Sequence, residues 1–578
     1  MSLKSTDANA TEWDRLWKVV RDTPDNFTAW EQLIRVAEAA EGGITKLSPP
    51  ENISRLESVY DSFLSKFPLC FGYWKKYSDW ELAINGDEGA EKIFERGVAA
   101  IHNSIDLWNQ YIDFKMSHSA SNDDIESLLE RAASCIGLDF LAHPFWDKYI
   151  EFAETRLANP KRVLKLLDRI VLIPMHQYAR YYEKWRGLRS TIKPSEAIDP
   201  LTLEVFYKEI HEAKGDALTP EEMEAALKEK LDAQTLAVYK KTQEGTNKRW
   251  VYEAEIKRPY FHVKPLDRPQ LQNWSKYLDF EEATNEIPRI RALYERCLVP
   301  CAQYEEFWLR YGQWLTEHNL LSDARYAYER AAFKFLPRDR CNAKISLALV
   351  QEEEGNIEEA RKTYTTILES MPTHIETILN LIHFERRQDP TVFENIVNTY
   401  INSNQLGESA KAFLTIQYIR FLQQNNQPDK ARQTYSTSST LYPNSKFFWM
   451  NYINFELGFY DASSEERILE VFEKCRTHLN KDLQKEINIK FREFLLERGN
   501  SVHNLNRNPA SVSTEFPPEK QPNLKRPAED ITYPFAKQSR FEAPTQQQQP
   551  YGYSYPQQPQ TYANTDYYSQ PQQQPWQS

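Results

Sequence analysis

Residues 273–297 read NWSKYLDFEEATNEIPRIRALYERC, and this stretch settles the fold class. In its first half Trp274, Tyr277 and Phe280 recur at spacings of three, which places the three rings on one face of a helix; a strand would scatter them over both sides. In its second half Ile290 and Tyr294 lie four apart and are followed by Glu295-Arg296. Trp274 to Ile290 is 16 positions, enough for a helix, a short turn and the start of a second helix.

Both halves recur along the chain. The first pattern, Trp-x-x-Tyr-x-x-aromatic, returns as WKKYSDWE (74–81), WNQYIDFK (108–115), WDKYIEFA (146–153), WLRYGQWL (308–315) and WMNYINFE (449–456). The second returns as AEKIFERG (90–97), IESLLERA (125–132), ARYAYERA (324–331) and ILEVFEKC (468–475), with looser copies at 56–63, 360–367 and 431–438. Trp74 to Trp108 and Trp274 to Trp308 are both 34 positions, and Trp108 to Trp146 is 38, the period of a helical-hairpin solenoid. Pro68, Pro174, Pro300, Pro337, Pro372 and Pro443 stand just after the second helix, where they stop it. The chain is therefore expected to be all-α, a helical-hairpin repeat solenoid. Its repeat core is Trp74, Tyr77, Trp108, Tyr111, Trp146, Tyr149, Trp274, Tyr277, Trp308, Tyr311, Trp449 and Tyr452, and its Glu-Arg pairs are rim ion pairs between adjacent helices.

Tetratricopeptide repeats share the period but favour small residues where this chain has Trp, aromatic and Glu-Arg, so the repeats resemble the half-a-tetratricopeptide (HAT) subclass, which is associated with RNA-processing complexes. Regularity lapses between about Arg189 and Leu266, dividing the repeats into two arrays. The expected organisation is a leader over 1–24, an amino-terminal HAT array over 25–188, a helical linker over 189–265 and a carboxy-terminal array over 266–500. A disordered tail over 501–578 completes it. The tail is rich in Gln, Pro and Tyr and cannot bury enough apolar surface to offset its ordering entropy.

Composition agrees with packed helices: 41% hydrophobic and 13% aromatic residues, with only 16 Gly. The formal charge is -12, and because the tail holds six basic and six acidic residues, the body carries it all. A broadly acidic body argues against wrapping nucleic acid, so RNA contact is expected to be indirect or local. The six Cys are scattered, as suits reduced thiols inside a cell; Cys297 and Cys301 are expected as buried thiols, with no metal. The start of the chain lacks an apolar core of a signal peptide, and no run approaches the roughly 20 apolar residues of a membrane span, so a soluble protein without membrane contact is expected. No P-loop, HExxH, GxSxG or dinucleotide turn occurs, so no catalytic residue and no cofactor is expected.

The segment RPYFHVKPLDRPQLQNWSKYLDFE (258–281), with CLVPCAQYEEFWLRY (297–311), closely resembles the pre-mRNA-processing factor 39 family. The resemblance implies a scaffold of the U1 small nuclear ribonucleoprotein in the nucleus, acting early in splicing by holding U1-specific proteins. It also implies a homodimer, or a heterodimer with a paralogous HAT protein, through the carboxy-terminal array. A HAT scaffold of mRNA 3′-end cleavage or of another spliceosomal complex, and a co-chaperone adaptor, are the competing readings.

Two candidate surfaces follow. Pro259, Pro265 and Pro269 prevent a continuous helix, so Tyr260, Phe261 and His262 are expected in an extended clasp across the first carboxy-terminal repeat. Around it Lys248, Arg249, Lys257, Arg258 and Lys264 lie among Trp250, Tyr252 and Phe261 and form a candidate RNA or partner patch, diluted by Glu244, Glu253, Glu255 and Asp267. At the end of the array, 483–499 carries a broad apolar stripe, with Phe491, Phe494 and Leu495 as candidate dimer anchors; the competing reading has the stripe cap its own last repeat at Phe472. Lys525-Arg526-Pro527, with Lys537 and Arg540, is a candidate import signal.

Overall fold

The computed structural model describes residues 12–498 except 119–120, 199, 215–217, 460–463 and 479–480. The start of the leader, the tail with its candidate import signal, and the side chain of Leu483 lie outside the described residues. Among the described residues no strand occurs, and no helix is long and apolar enough to cross a membrane.

The amino-terminal array comprises α1 (Glu12–Asp22), α2 (Phe27–Glu38), α3 (Pro50–Lys66), α4 (Phe71–Asn85), α5 (Asp87–Ala100), α6 (Ile105–Ser117), α7 (Asn122–Ile136), α8 (His143–Thr155), α9 (Pro160–Ile170) and α10 (Tyr178–Ser190). Next come α11 (Pro194–Ala197), α12 (Pro200–Lys214) and the long α13 (Pro220–Glu253). The carboxy-terminal array begins with α14 (Arg268–Glu282), α15 (Ile287–Cys297), α16 (Glu305–Glu317), α17 (Leu321–Arg330), α18 (Asn342–Glu353), α19 (Ile357–Ser370) and α20 (Ile375–Gln388). It continues through α21 (Phe393–Ile401), α22 (Glu408–Gln424), α23 (Pro428–Ser438), α24 (Lys446–Gly458), α25 (Ser464–His478) and α26 (Lys481–Arg498). Helix starts are set locally: Asn26, Ser104, Ser121, Asn159 and Ser445 each accept from the backbone N–H groups of the following turn. Thr219 and Glu222 close a full capping box on α13.

Three contacts repeat from hairpin to hairpin and explain the sequence pattern. The second-helix aromatic of one repeat stacks on the first-helix Tyr of the next: Tyr60 on Tyr77 at 4.9 Å, Phe94 on Tyr111 at 5.1 Å, Tyr294 on Tyr311 at 4.6 Å and Tyr435 on Tyr452 at 4.5 Å. The Arg of each Glu-Arg pair lies over the Trp of its own repeat, as Arg96 over Trp74 at 5.6 Å, Arg131 over Trp108 at 5.6 Å and Arg330 over Trp308 at 5.1 Å. The same Arg reaches the acid of the preceding pair, Arg131 to Glu95 at 2.9 Å and Arg330 to Glu295 at 2.8 Å. Glu-Arg is thus one rung of a ladder between neighbours. Each cation–π contact is worth about 0.5–1 kcal/mol, and the more exposed ion pairs about 0–1 kcal/mol.

Between the arrays stands α13, 34 residues and so about 51 Å long. Its middle serves as the partner of α10, with Tyr239 against Tyr182 at 4.5 Å and the Thr242 hydroxyl donating to the Val171 carbonyl at 2.7 Å. Its end acts as the second helix of a repeat that precedes α14, since Tyr252 stacks on Tyr277 at 5.0 Å. One helix therefore closes the first array and opens the second.

Candidate interaction surfaces

All twelve Trp and Tyr side chains of the repeat pattern are buried, none more than 4% exposed. They hold the solenoid together and offer no ring to a ligand. Cys297 and Cys301 are both fully buried at the end of α15, no disulfide joins any of the six cysteines, and among the described residues no group of three or more His, Cys, Asp or Glu is placed to hold a metal.

The side chains expected as dimer anchors are buried inside the single chain. Phe491, Phe494 and Leu495 are 2–3% exposed within the single chain, with Phe491 4.4 Å and Phe494 6.4 Å from Phe472. They cap the last hairpin, because α25 would otherwise leave its apolar face uncovered. The outward face of α26 instead carries Ile489, 45% exposed, and Leu496, 62% exposed, seven residues apart and so on one line.

The candidate basic patch is dispersed by the fold. Arg249 is buried and grips Glu281 through two hydrogen bonds, 3.0 Å from Nε and 2.7 Å from Nη2, so it belongs to the core. Lys248 pairs with Glu244 on the same helix at 2.7 Å, and Arg258 turns to the Lys264 carbonyl at 2.8 Å. Lys257 and Lys264 remain exposed. The clasp reaches further than the first carboxy-terminal repeat: Leu266 joins the carboxy-terminal core and donates its N–H to the Tyr304 hydroxyl at 2.7 Å, whereas Phe261 and Val263 pack on the amino-terminal core.

At the seam between the arrays, charges are buried in mutual pairs. Arg296 forks onto Glu253 at 2.6 and 2.8 Å, stands 3.5 Å from Asp139 of the other array, and Glu253 also accepts from the Tyr277 hydroxyl at 2.9 Å. Burial alone would lower the Arg296 pKa, but Asp139 and Glu253 outweigh it and raise it, so the guanidinium stays charged. Glu281 takes Arg289 at 3.1 Å besides Arg249. Alongside, the Asn103 amide donates to the Glu295 carbonyl at 3.1 Å, and burial of the Glu295 carboxyl is overcome by Arg330 and His102, which hold its pKa at about 2.

A cleft of about 1690 Å³ opens between the loops of the amino-terminal array and the turn joining α17 to α18. Pro68, Phe67 and Trp74 line one wall, and Phe333, Leu336 and Pro337 the other. The second wall begins with a π-helical turn over Ala331–Phe335, a device that re-aims side chains and recurs at functional sites. There it leaves Phe333 60% exposed while Phe335 stacks on Trp308 at 5.3 Å. Neither this cleft nor the Asp139–Arg296 seam has a sequence signature, since each joins segments far apart in the chain; the run YERAAFKF (328–335) gives no sign of a π turn.

Family comparisons cover both arrays. A family model described as PRP39 N-terminal HAT repeat matches residues 14–187, and one described as PRP39 C-terminal HAT repeat matches residues 247–387, beginning within α13 where Arg249 and Tyr252 take up repeat positions. Pre-mRNA-processing factor 39 of Schizosaccharomyces pombe is 38% identical over 467 residues, covering 78% of this chain and 76% of its own length. Its counterpart of the same name in Homo sapiens is 27% identical over 561 residues, 92% of this chain and 81% of its own. The U1 small nuclear ribonucleoprotein component PRP42 of Saccharomyces cerevisiae is 24% identical over 306 residues, 50% of this chain and 55% of its own.

Proposed function

The chain belongs to the pre-mRNA-processing factor 39 family, and from that premise we propose that it is a non-catalytic scaffold of the U1 small nuclear ribonucleoprotein, acting in pre-mRNA splicing in the nucleus. In this reading it supports 5′ splice-site recognition by holding U1-specific proteins. The observation that carries it is similarity across both arrays to proteins named for pre-mRNA processing, together with likeness over half the chain to a named U1 component.

The geometry supports a scaffold. The aromatic side chains of its repeat pattern are spent on packing, the charges buried at the seam between the arrays are paired, and what remains outside is a long helical surface with a cleft and an apolar stripe. RNA contact is indirect or local, because the formal charge is -12 and the candidate basic patch is broken up by Glu244 and Glu281. The carboxy-terminal array dimerises, with a second copy or a paralogous HAT protein, through the outer face of α26 at Ile489 and Leu496.

Purification of the tagged protein followed by sequencing of the bound RNA tests the assignment. Strong enrichment of U1 RNA is the expected result. Enrichment of another spliceosomal RNA, or of cleavage-site RNA without U1, would overturn it in favour of a different RNA-processing scaffold.

A further inference from the structure

The cleft carries positive charge that no carboxylate among the described residues answers. Lys344, from the first turn of α18, is only 7% exposed, yet its ammonium makes one hydrogen bond, to the Arg338 carbonyl at 3.2 Å, and no described carboxylate lies within ion-pair distance. An ammonium has three N–H donors, and an unpaired buried charge is costly to keep, so a built anion site is the economical explanation for such a lysine. Lys334 and Arg338 line the same wall, are exposed, and also lack an ion pair among the described residues. On the opposite wall Lys66 is matched by Asp25 at 2.5 Å and Arg96 by Asp61 at 2.8 Å. The unanswered charge is therefore gathered at one end, beside the exposed ring of Phe333.

We propose that this cleft docks an acidic peptide segment of a protein partner, its carboxylates against Lys334, Arg338 and Lys344 and an apolar side chain on Phe333. The volume, about 1690 Å³, exceeds the roughly 300–1,000 Å³ of a small-molecule pocket and suits a length of chain. A nucleic-acid strand fits less well, since its charge recurs at every nucleotide and would run on into Asp25 and Asp61. A peptide with acidic residues at one end and apolar ones beyond meets both regions. The site does not depend on which particle the protein serves.

The test uses the full-length chain and a fluorescein-labelled peptide of four Asp-Glu-Phe triplets, read by anisotropy. An Asn-Gln-Phe peptide of equal length and an oligouridylate are the comparators. The acidic peptide should bind at least about tenfold more tightly than either, an effect weakened by salt. Lys334→Glu combined with Arg338→Glu, both at exposed positions, should lower affinity by at least about tenfold with an unchanged melting temperature. Lys344→Met should also weaken binding, and because it removes an unpaired buried charge it should not lower the melting temperature. Unchanged affinity in both variants, or no saturable binding of the acidic peptide, overturns the proposal. Tighter binding of oligouridylate that is lost in the same variants overturns it in favour of a nucleic-acid site. None of these outcomes touches the splicing assignment, which is read from bound U1 RNA.

Discussion

The indole nitrogen of Trp74 donates a 2.8 Å hydrogen bond to the carbonyl oxygen of Pro68, in the turn that precedes its helix. The same reach of six residues joins Trp30 to Pro24 at 2.9 Å, Trp108 to His102 at 2.8 Å, Trp308 to Ala302 at 2.8 Å and Trp449 to Pro443 at 3.0 Å. Each Trp thus fills the core with its ring and ties down a turn carbonyl, which at Ala302 is itself buried. Trp274 departs from the rule: its ring is fully buried but its Nε1 has no partner among the described residues.

Unfolding in urea should reflect that difference. Trp308→Phe leaves the Ala302 carbonyl unmatched as well as opening a cavity, and is expected to cost about 2–4 kcal/mol. Trp274→Phe removes an unpaired donor along with the volume and should cost about 1–2 kcal/mol, whereas Trp274→Ala, which empties the site, should cost about 3–5 kcal/mol. Equal costs for the two Phe variants would show that the hydrogen bond is immaterial.

Gly312 is required by a close approach. A Cβ at this position would lie 2.1 Å from the ring of Tyr328, on the second helix of the same hairpin. Gly312→Ala should therefore destabilise the carboxy-terminal array by at least about 2 kcal/mol despite Ala being the better helix former. Adding Tyr328→Leu should recover part of the loss; a Gly312→Ala protein that melts like the parent contradicts this packing.

Arg249→Ala should act as a core mutation, because it strips Glu281, 2% exposed, of one of its two cations. The expected cost is about 3 kcal/mol, against less than about 0.5 kcal/mol for Lys257→Ala on the surface. Calorimetry of the two variants side by side separates them. If both melt like the parent, Arg249 is a surface residue after all.

His143 makes the junction of α8 with the turn after α9 sensitive to acid. Burial, then the nearby His176 and Arg180, push its pKa down to about 4 from the ordinary 6.5, with Asp147 opposing, and its Nδ1 has no partner among the described residues. The folded chain keeps this ring neutral where the unfolded chain would protonate it. The stability is therefore complete above about pH 6.5 and is lost as pH falls towards 4, by at most about 3 kcal/mol. His143→Phe should flatten the melting profile between those limits, and an unaltered profile would remove His143 as its origin.

The two faces of α26 should behave differently. Ile489→Glu with Leu496→Glu should give a folded protein of reduced mass by light scattering, since both side chains face outward. Phe491→Glu should instead lower the melting temperature, because its ring lies against Phe472 at 4.4 Å. A double surface variant of unchanged mass would exclude that face from the proposed dimer.

Local order alone made the hairpins legible. Spacings of three and four within a helix identify the buried Trp and Tyr, and contacts between neighbouring repeats recur at a fixed separation, so Glu95 and Arg131 announce their pairing in the sequence. The direction of the α26 stripe was left open, because its apolar residues span more than one face and only docking on Phe472 decides which of them is inside. Arg249 and Lys257 look alike as letters; burial of the first follows from Glu281 on a different helix. Asp139 meets Arg296 across more than 150 positions, and the cleft gathers Trp74 and Lys344 from still further apart. Such meetings depend on the small rotation that each repeat adds to the superhelix. That rotation is the sum of many side-chain packing choices, none of which is visible in the period, so the sequence by itself determined the repeating unit and its core, and the tertiary structure alone decided which distant surfaces face each other.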